Sequence, residues 1–296
     1  MPARNLIPAV LAVLTAGLLA LGTYLGAWRG GGGSTGYLAA VDSCGFLTIP
    51  TNDKDWRFTC LPGIFSAVSV SGDGKTLAWD TKSNIVVAQA SGANQQLPPL
   101  PAGANAEPSL SPDGRMLAFL HSPRDDGRYD LWTSSTTLDN AEQLTSTRDL
   151  STDAWSPGGD WIAFVRGWSE QTLEGDIYVI HPDGTGERKV ARGDAPAWMP
   201  DGSRFAFTHD NSVWTVRPDG SGARELVGDA HNAAWSRDGR ILAFMREDPC
   251  GKAVCTEHAY MLRLPGGHSR LVGPQWQETK RLLWVTKLSV SQPPPK

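Results

Sequence analysis

One nine-residue pattern recurs five times in this chain, and no other feature narrows its possible folds as much. The first copy is Ser71-Gly72-Asp73-Gly74-Lys75-Thr76-Leu77-Ala78-Trp79. The second is Ser111-Pro112-Asp113-Gly114-Arg115-Met116-Leu117-Ala118-Phe119. Further copies end in Trp161-Ile162-Ala163-Phe164, Arg204-Phe205-Ala206-Phe207 and Ile241-Leu242-Ala243-Phe244. They start at residues 71, 111, 156, 199 and 236, at intervals of 40, 45, 43 and 37. A sixth, worn copy ends in Arg281-Leu282-Leu283-Trp284, 40 residues beyond Phe244. A repeat of about 40 residues implies units that bury their apolar faces against one another.

Each unit reads as four short strands. A strand such as Ala195–Trp198 meets Asp-Gly, which supplies the positive-φ position of a tight hairpin. The next strand, such as Arg204–Thr208, is apolar on both sides, as expected of a sheet covered on both faces. A second hairpin follows, for example Asp176–Ile180, the turn His181-Pro182-Asp183-Gly184, and Glu187–Val190. Second hairpins start near 84, 129, 176, 212 and 259, one fewer than the first hairpins. The missing one is expected at Tyr37–Ile49. The predicted fold is therefore all-β: a six-bladed β-propeller over 37–288, whose last blade joins an N-terminal hairpin to C-terminal inner strands. Such closure hides free sheet edges.

The pattern Ser-Pro-Asp-Gly-Arg-x-Leu-Ala-Phe, with Trp-Ser just before Asp-Gly, resembles the repeat of TolB-type propellers and of dipeptidyl-peptidase-like propeller domains. The resemblance spans about 250 residues. It implies the fold and says little of function, because the repeated residues build the blade. Phe119, Phe164, Phe207 and Phe244 are expected to pack between blades. The Gly-His…Trp-Asp signature of Trp-Asp-repeat propellers is absent. The separate N-terminal domain of TolB is not expected between residue 36 and the first strand, nor is a hydrolase domain after the last blade.

Ile7–Trp28 carries no charged residue, and its 22 residues would reach about 33 Å as a helix, enough for a hydrocarbon core. The expected organisation is a cytoplasmic 1–6, a membrane anchor or signal segment at 7–28, a Gly-rich linker at 29–36, the propeller, and a tail at 289–296. Arg4 before the apolar run and Arg29 after it leave only a small charge bias. Two readings stay open: an uncleaved anchor in the cytoplasmic membrane, or a cleaved signal giving a secreted domain. Either way the propeller is extracytoplasmic. Cys44/Cys60 and Cys250/Cys255 form two local pairs, read as disulfides in an oxidising compartment. Metal binding by Cys250, Cys255, His258 and His268 matches no common zinc spacing. A net charge of −4 with no Lys/Arg block argues against a nucleic-acid surface.

The Asp-Gly turns crowd one face, so function is expected on the opposite face, where the longer connections gather. The residue two after the repeat aromatic is His121, Arg166, His209 and Arg246 in four successive blades. At equal height these could form a partial basic ring, with Asp153, Asp194, Asp229 and His231 nearby. The functional reading is a polar funnel for an anionic group or a peptide terminus. The bland reading is ion pairing with Asp125, Asp210 and Glu247. Trp168, in the insertion Gly167–Gly175, is a candidate partner anchor. No nucleophile elbow, His-Glu-x-x-His or phosphate loop occurs, so no catalytic residue, metal or cofactor is assigned. The leading expectation is a non-catalytic binding module, a monomer engaging a protein or cell-envelope partner. The alternatives are a propeller lyase or hydrolase using His121, His209 and His231, and a sensor of small anionic or sugar-like ligands.

Overall fold

The structure is a computed structural model and describes residues 37–42, 45–50, 57–60, 67–72, 75–81, 84–89, 100–137, 140–236, 238–247, 257–276 and 281–285. The 7–28 segment, the 289–296 tail and Cys44, Cys250 and Cys255 lie outside the described residues, as does the side chain of Cys60. Among the described residues no helix is long and apolar enough to cross a membrane.

The described elements are strands in antiparallel sheets. Near the N-terminus come β1 (Tyr37–Asp42), β2 (Gly45–Pro50) and β3 (Arg57–Cys60), then β4 (Val68–Val70), β5 (Thr76–Asp80) and β6 (Ile85–Gln89). They are followed by β7 (Ala104–Leu110), β8 (Met116–Ser122), β9 (Asp130–Ser135) and β10 (Glu142–Gln143). Next are β11 (Leu150–Trp155), β12 (Ile162–Ser169), β13 (Glu174–Ile180) and β14 (Arg188–Trp198). β15 (Phe205–His209), β16 (Ser212–Val216), β17 (Arg224–Gly228) and β18 (His231–Trp235) come after them. The last are β19 (Ile241–Glu247), β20 (Glu257–Arg263), β21 (Ser269–Trp276) and β22 (Arg281–Val285).

Four sheets have the orders β4-β5-β6, β7-β8-β9-β10, β18-β19-β20-β21 and β22-β1-β2-β3. The remaining strands form one continuous run, β11 to β17, because β14 serves twice. Its first half pairs with β13 up to Gly193, and its second half pairs with β15 from Asp194. Gly193 lets the strand run on from one pairing to the other. Its φ is +151°, and a Cβ there would clash with the Thr208 carbonyl and the Phe207 ring.

In four of the units the second strand packs against the sheet before it. Phe119 sits with Ala78, Ile85 and Val87, and Phe164 with Ala118, Leu120 and Leu131. Phe207 sits with Val165 and Ile177, and Phe244 with Ala206 and Val213. In four of the five turns the opening Ser fastens its hairpin: the hydroxyls of Ser71, Ser111, Ser156 and Ser236 accept the N–H of Thr76, Met116, Trp161 and Ile241 at 2.8–3.0 Å. Neighbouring first strands are linked as well, with Leu110 N–H donating to Ser69 Oγ and Trp155 N–H to Ser109 Oγ.

The chain ends meet differently from the sequence expectation. β22 is the single strand from the C-terminal end in its sheet, and β1, β2 and β3 come from the N-terminal end. β22 packs beside β18, a first strand, so it is itself a first strand. Leu283-Trp284 therefore matches Ala154-Trp155 and Ala234-Trp235, not the Ala-Phe of second strands. Aligning on the aromatic alone placed it one strand too late. Tyr37 pairs with Val285, as Trp155 pairs with Ile162 and Trp235 with Leu242. All three pairs lie at the end of the sheets that carries the Asp-Gly turns.

Phe164→Ala should remove about 3–5 kcal/mol of stability. Equilibrium urea unfolding against the unaltered chain measures it. An exposed turn change such as Ser203→Ala should stay within about 0.5 kcal/mol.

Candidate functional site

The four equivalent basic residues do not converge on one point. Each lies over the third-strand aromatic of its own sheet. His121 meets Trp132 edge-on at 5.0 Å, and His209 meets Trp214 at 5.8 Å. The Arg166 guanidinium sits 4.5 Å from the Tyr178 ring centre, and that of Arg246 5.0 Å from Tyr260. Their polar atoms are engaged separately. His121 Nδ1 is 2.9 Å from Asn105 Oδ1, and burial pushes this imidazole down from its ordinary pKa. Arg166 pairs with Glu187 at 2.8 Å and Asp149 at 3.6 Å. Arg246 donates to the carbonyls of Asp229 and Gly228. Of the ion-pair partners expected from sequence, Asp210 lies 3.6 Å from His209 Nε2.

The acids are also dispersed. Asp153 is fully buried on β11 opposite Phe164. Asp229 holds a positive φ of 50°, and His231 pairs with Met245 at the start of β18. Asp194 belongs to the axial cavity, as does Trp168, which is 37% exposed.

A buried carboxylate that repeat reasoning passed over is Glu174. Its Oε1 accepts from His209 Nδ1 at 3.0 Å and from Asp210 N–H at 2.7 Å, and its Oε2 accepts from Arg192 Nε at 3.2 Å. Burial alone would push this carboxyl up. The Asp210 N–H, Arg192 and His209 together outweigh burial and hold it below its ordinary value of 4.5. Ligand atoms of Glu174, His209 and Asp210 lie within 4.8 Å of one another. Both Glu174 oxygens already serve N–H donors, and one donor is a guanidinium, so the cluster fits a metal ion poorly. It works instead as a clamp between β13 and β15 on either side of β14. No other unit carries an equivalent Glu, so nothing in the repeat marked it.

The axial cavity has a volume of about 570 Å³ and is lined by the first strands β4, β7, β11, β14 and β18. Three of these strands bulge at the same place. Register shifts fall between Ala106 and Ser109, Asp194 and Ala197, and His231 and Ala234. Inside each shift sits a non-glycine residue with φ of 50°: Glu107, Ala195 and Asn232. Such backbone costs about 1–3 kcal/mol per residue and re-aims side chains, often at functional positions. Among the described residues, the charged members of the lining are Glu107 and Asp194. Glu107 also belongs to a wider acidic neighbourhood. The Tyr129 phenol is pushed up first by burial and then by Asp125, Asp80, Glu107 and Asp126.

No family model matches the sequence, and no curated protein matches it. The likeness lies in three dimensions. A protein assigned as TolB from Agrobacterium tumefaciens superposes with a TM-score of 0.62 at 20% identity, over 88% of this chain and 93% of that one. TolB from Acinetobacter baumannii gives 0.65 at 13% identity, over 85% of this chain and 66% of that one. An oligogalacturonate lyase in complex with manganese gives 0.54 at 13% identity, over 76% and 69%. The chain has a TolB-like β-propeller fold.

Because the Glu174 carboxyl is held low in the fold, its contribution is present above its ordinary pKa and is lost as pH falls through the depressed folded value. Glu174→Gln should cost about 1–3 kcal/mol at pH 7. The gap to the unaltered chain should close as the pH is taken below 4.5. Thermal unfolding across pH for both proteins measures this.

Proposed function

We propose that this chain is a non-catalytic binding module: a six-bladed propeller held at the cytoplasmic membrane by residues 7–28, offering its loop face to a protein of the cell envelope. The observation that carries the reading is the pairing of Tyr37 with Val285. It sets Tyr37, where the described residues begin, at the end of the sheet beside the Asp-Gly turns. The eight-residue linker 29–36 would then span at most about 28 Å. The turn face stays near the membrane, and the loop face, with Trp168 and its exposed neighbour Leu173, points away. Six blades follow if each half of β14 is counted with its own sheet. Disulfides Cys44–Cys60 and Cys250–Cys255 suit this compartment. β3 already sets Cys60 opposite Gly45, next in sequence to Cys44.

The enzymatic alternative draws on the likeness to a lyase. It gains no support from the histidines, since His121 is tied to Asn105 and His209 to Glu174 in different sheets.

A photo-reactive amino acid at position 168 should yield a discrete adduct in intact membranes, and one at Ser203 on the turn face should not. Adducts from Ser203 alone would reverse the proposed orientation. The chain should also stay with membranes through an alkaline wash, and a mature N-terminus inside 20–36 would mean a cleaved signal instead.

A further inference from the structure

Four arginines gather at one place on the turn face. Phe205 pairs with Val216, so the β16–β17 turn, residues 217–223, stands beside the Asp201-Gly202 turn that precedes β15. Arg204 Nη1 donates to the Gly222 carbonyl at 2.8 Å, and Arg217 Nη1 donates to Ser221 Oγ at 3.2 Å. Both guanidiniums therefore reach the same turn. A Cβ on Gly222 would lie 2.8 Å from Arg217 Nη1 and 2.9 Å from Arg204 Nη2, so the missing side chain leaves room between two cations. Arg188 arrives from the first half of β14. Its Nε donates to the Pro218 carbonyl at 3.2 Å, and its guanidinium lies 4.2 Å from the centre of the Trp161 ring. Arg224 opens β17 and is exposed. Among the described residues none of the four forms an ion pair. The nearby acids serve their own turns instead. Asp201 Oδ1 accepts from the N–H and the hydroxyl of Ser203, and Asp219 Oδ1 accepts from the Ser221 N–H. The like charges are felt within the patch: Arg204 is pushed down from its ordinary pKa first by burial and then by Arg217 and Arg224, with Asp219 pulling the other way.

Cations held side by side on neutral acceptors attract an anion from outside, and the guanidinium fork matches the oxygens of a phosphate. Under the proposed function the bilayer is the source of phosphate at hand, because the linker keeps the turn face within about 28 Å of it. We propose that Arg188, Arg204, Arg217 and Arg224 dock the turn face onto anionic phospholipid headgroups of the membrane that carries the chain. The inference rests on the membrane-anchored part of the binding-module reading and adds what the turn face does. Each arginine contributes little alone, but the tether holds the patch at high effective concentration over the surface, so a weak attraction suffices. Docking then fixes the tilt of the propeller and keeps the loop face turned outward.

The test places the full chain in lipid nanodiscs of phosphatidylcholine, either alone or with about one third phosphatidylglycerol to supply negative surface charge. Modification of each arginine by phenylglyoxal is followed by mass spectrometry. In the anionic discs Arg204, Arg217 and Arg224 should react at least about fivefold more slowly than in the neutral ones, and about 0.5 M salt should remove the difference. Arg128, exposed in the β8–β9 connection on the loop face, should react equally in both. Arg204→Gln with Arg217→Gln should abolish the protection of Arg224. Equal rates in the two lipids overturn the proposal, as does equal slowing of Arg128. Inorganic phosphate protecting the patch in neutral discs as strongly as phosphatidylglycerol overturns the lipid part and leaves a site for a free oxyanion. The comparison of lipids on the unaltered chain remains decisive even if the variant fails to fold. A chain that does not enter the discs sinks the anchored reading; flotation with vesicles of the same two compositions then decides this inference, which requires the chain to float with the anionic vesicles alone. An adduct from position 168 without protection by the anionic lipid would sink this inference and leave the binding-module reading standing; protection without an adduct would do the reverse.

Discussion

A β-sheet that is apolar on both faces cannot end in water, and the rest of this molecule follows from that. Ala118, Phe119 and Leu120 are all buried on one strand, as are Ala163, Phe164 and Val165 on the next equivalent one. Successive residues on a strand point to opposite faces, so each sheet needs a neighbour on either side. A linear stack would leave two faces bare. Closing the stack around an axis leaves none, and the open axis becomes the cavity. The cavity is thus a geometric consequence of burying second strands, before any selection for a ligand.

Closure must then be fastened, and the chain does this by pairing β1 with β22. The need for such a sheet was legible in the counting of hairpins, because one second hairpin was missing. Its composition was not. Leu282-Leu283-Trp284 satisfies the apolar demand of a first or a second strand equally well, and the Asp-Gly turn that would have separated the two is lacking. The sharing of β14 was equally hidden. Arg192-Gly193-Asp194 reads as a loop between units, yet the backbone stays extended through it because Gly193 tolerates the close approach of Thr208.

Side chains at equal repeat positions proved to do equal structural work. His121, Arg166, His209 and Arg246 share a height, as the spacing implied. What the spacing could not supply was direction, and all four turn onto the aromatic across the strand. The cavity-lining residues that break the repeat are Glu107, where β14 has Ala195 and β18 has Asn232, and Trp168 at the end of β12. Register shifts in the first strands decide where these side chains go, and a bulge leaves almost no trace in composition. Trp168 was visible from sequence because it lay outside the pattern; Glu107 was not, because it lay inside one.

The two faces differ in what they can vary. The turn face is bound by the chemistry of its hairpins: the Ser111 and Ser236 hydroxyls close their own turns, and Gly114, Gly202 and Gly239 hold positive φ. Substitution of those Ser and Gly residues costs the hairpin, so these positions are poor ground for a changing partner. The loop face is fastened by separate side-chain bonds, among them the Glu174 clamp with Arg192, His209 and Asp210. Tyr37 enters at the turn face, so under the proposed function tethering and recognition would fall on opposite ends of one axis. A tether attached beside the cavity's loop-side opening would compete with any partner for the same space; attached at the turns, it leaves that opening clear.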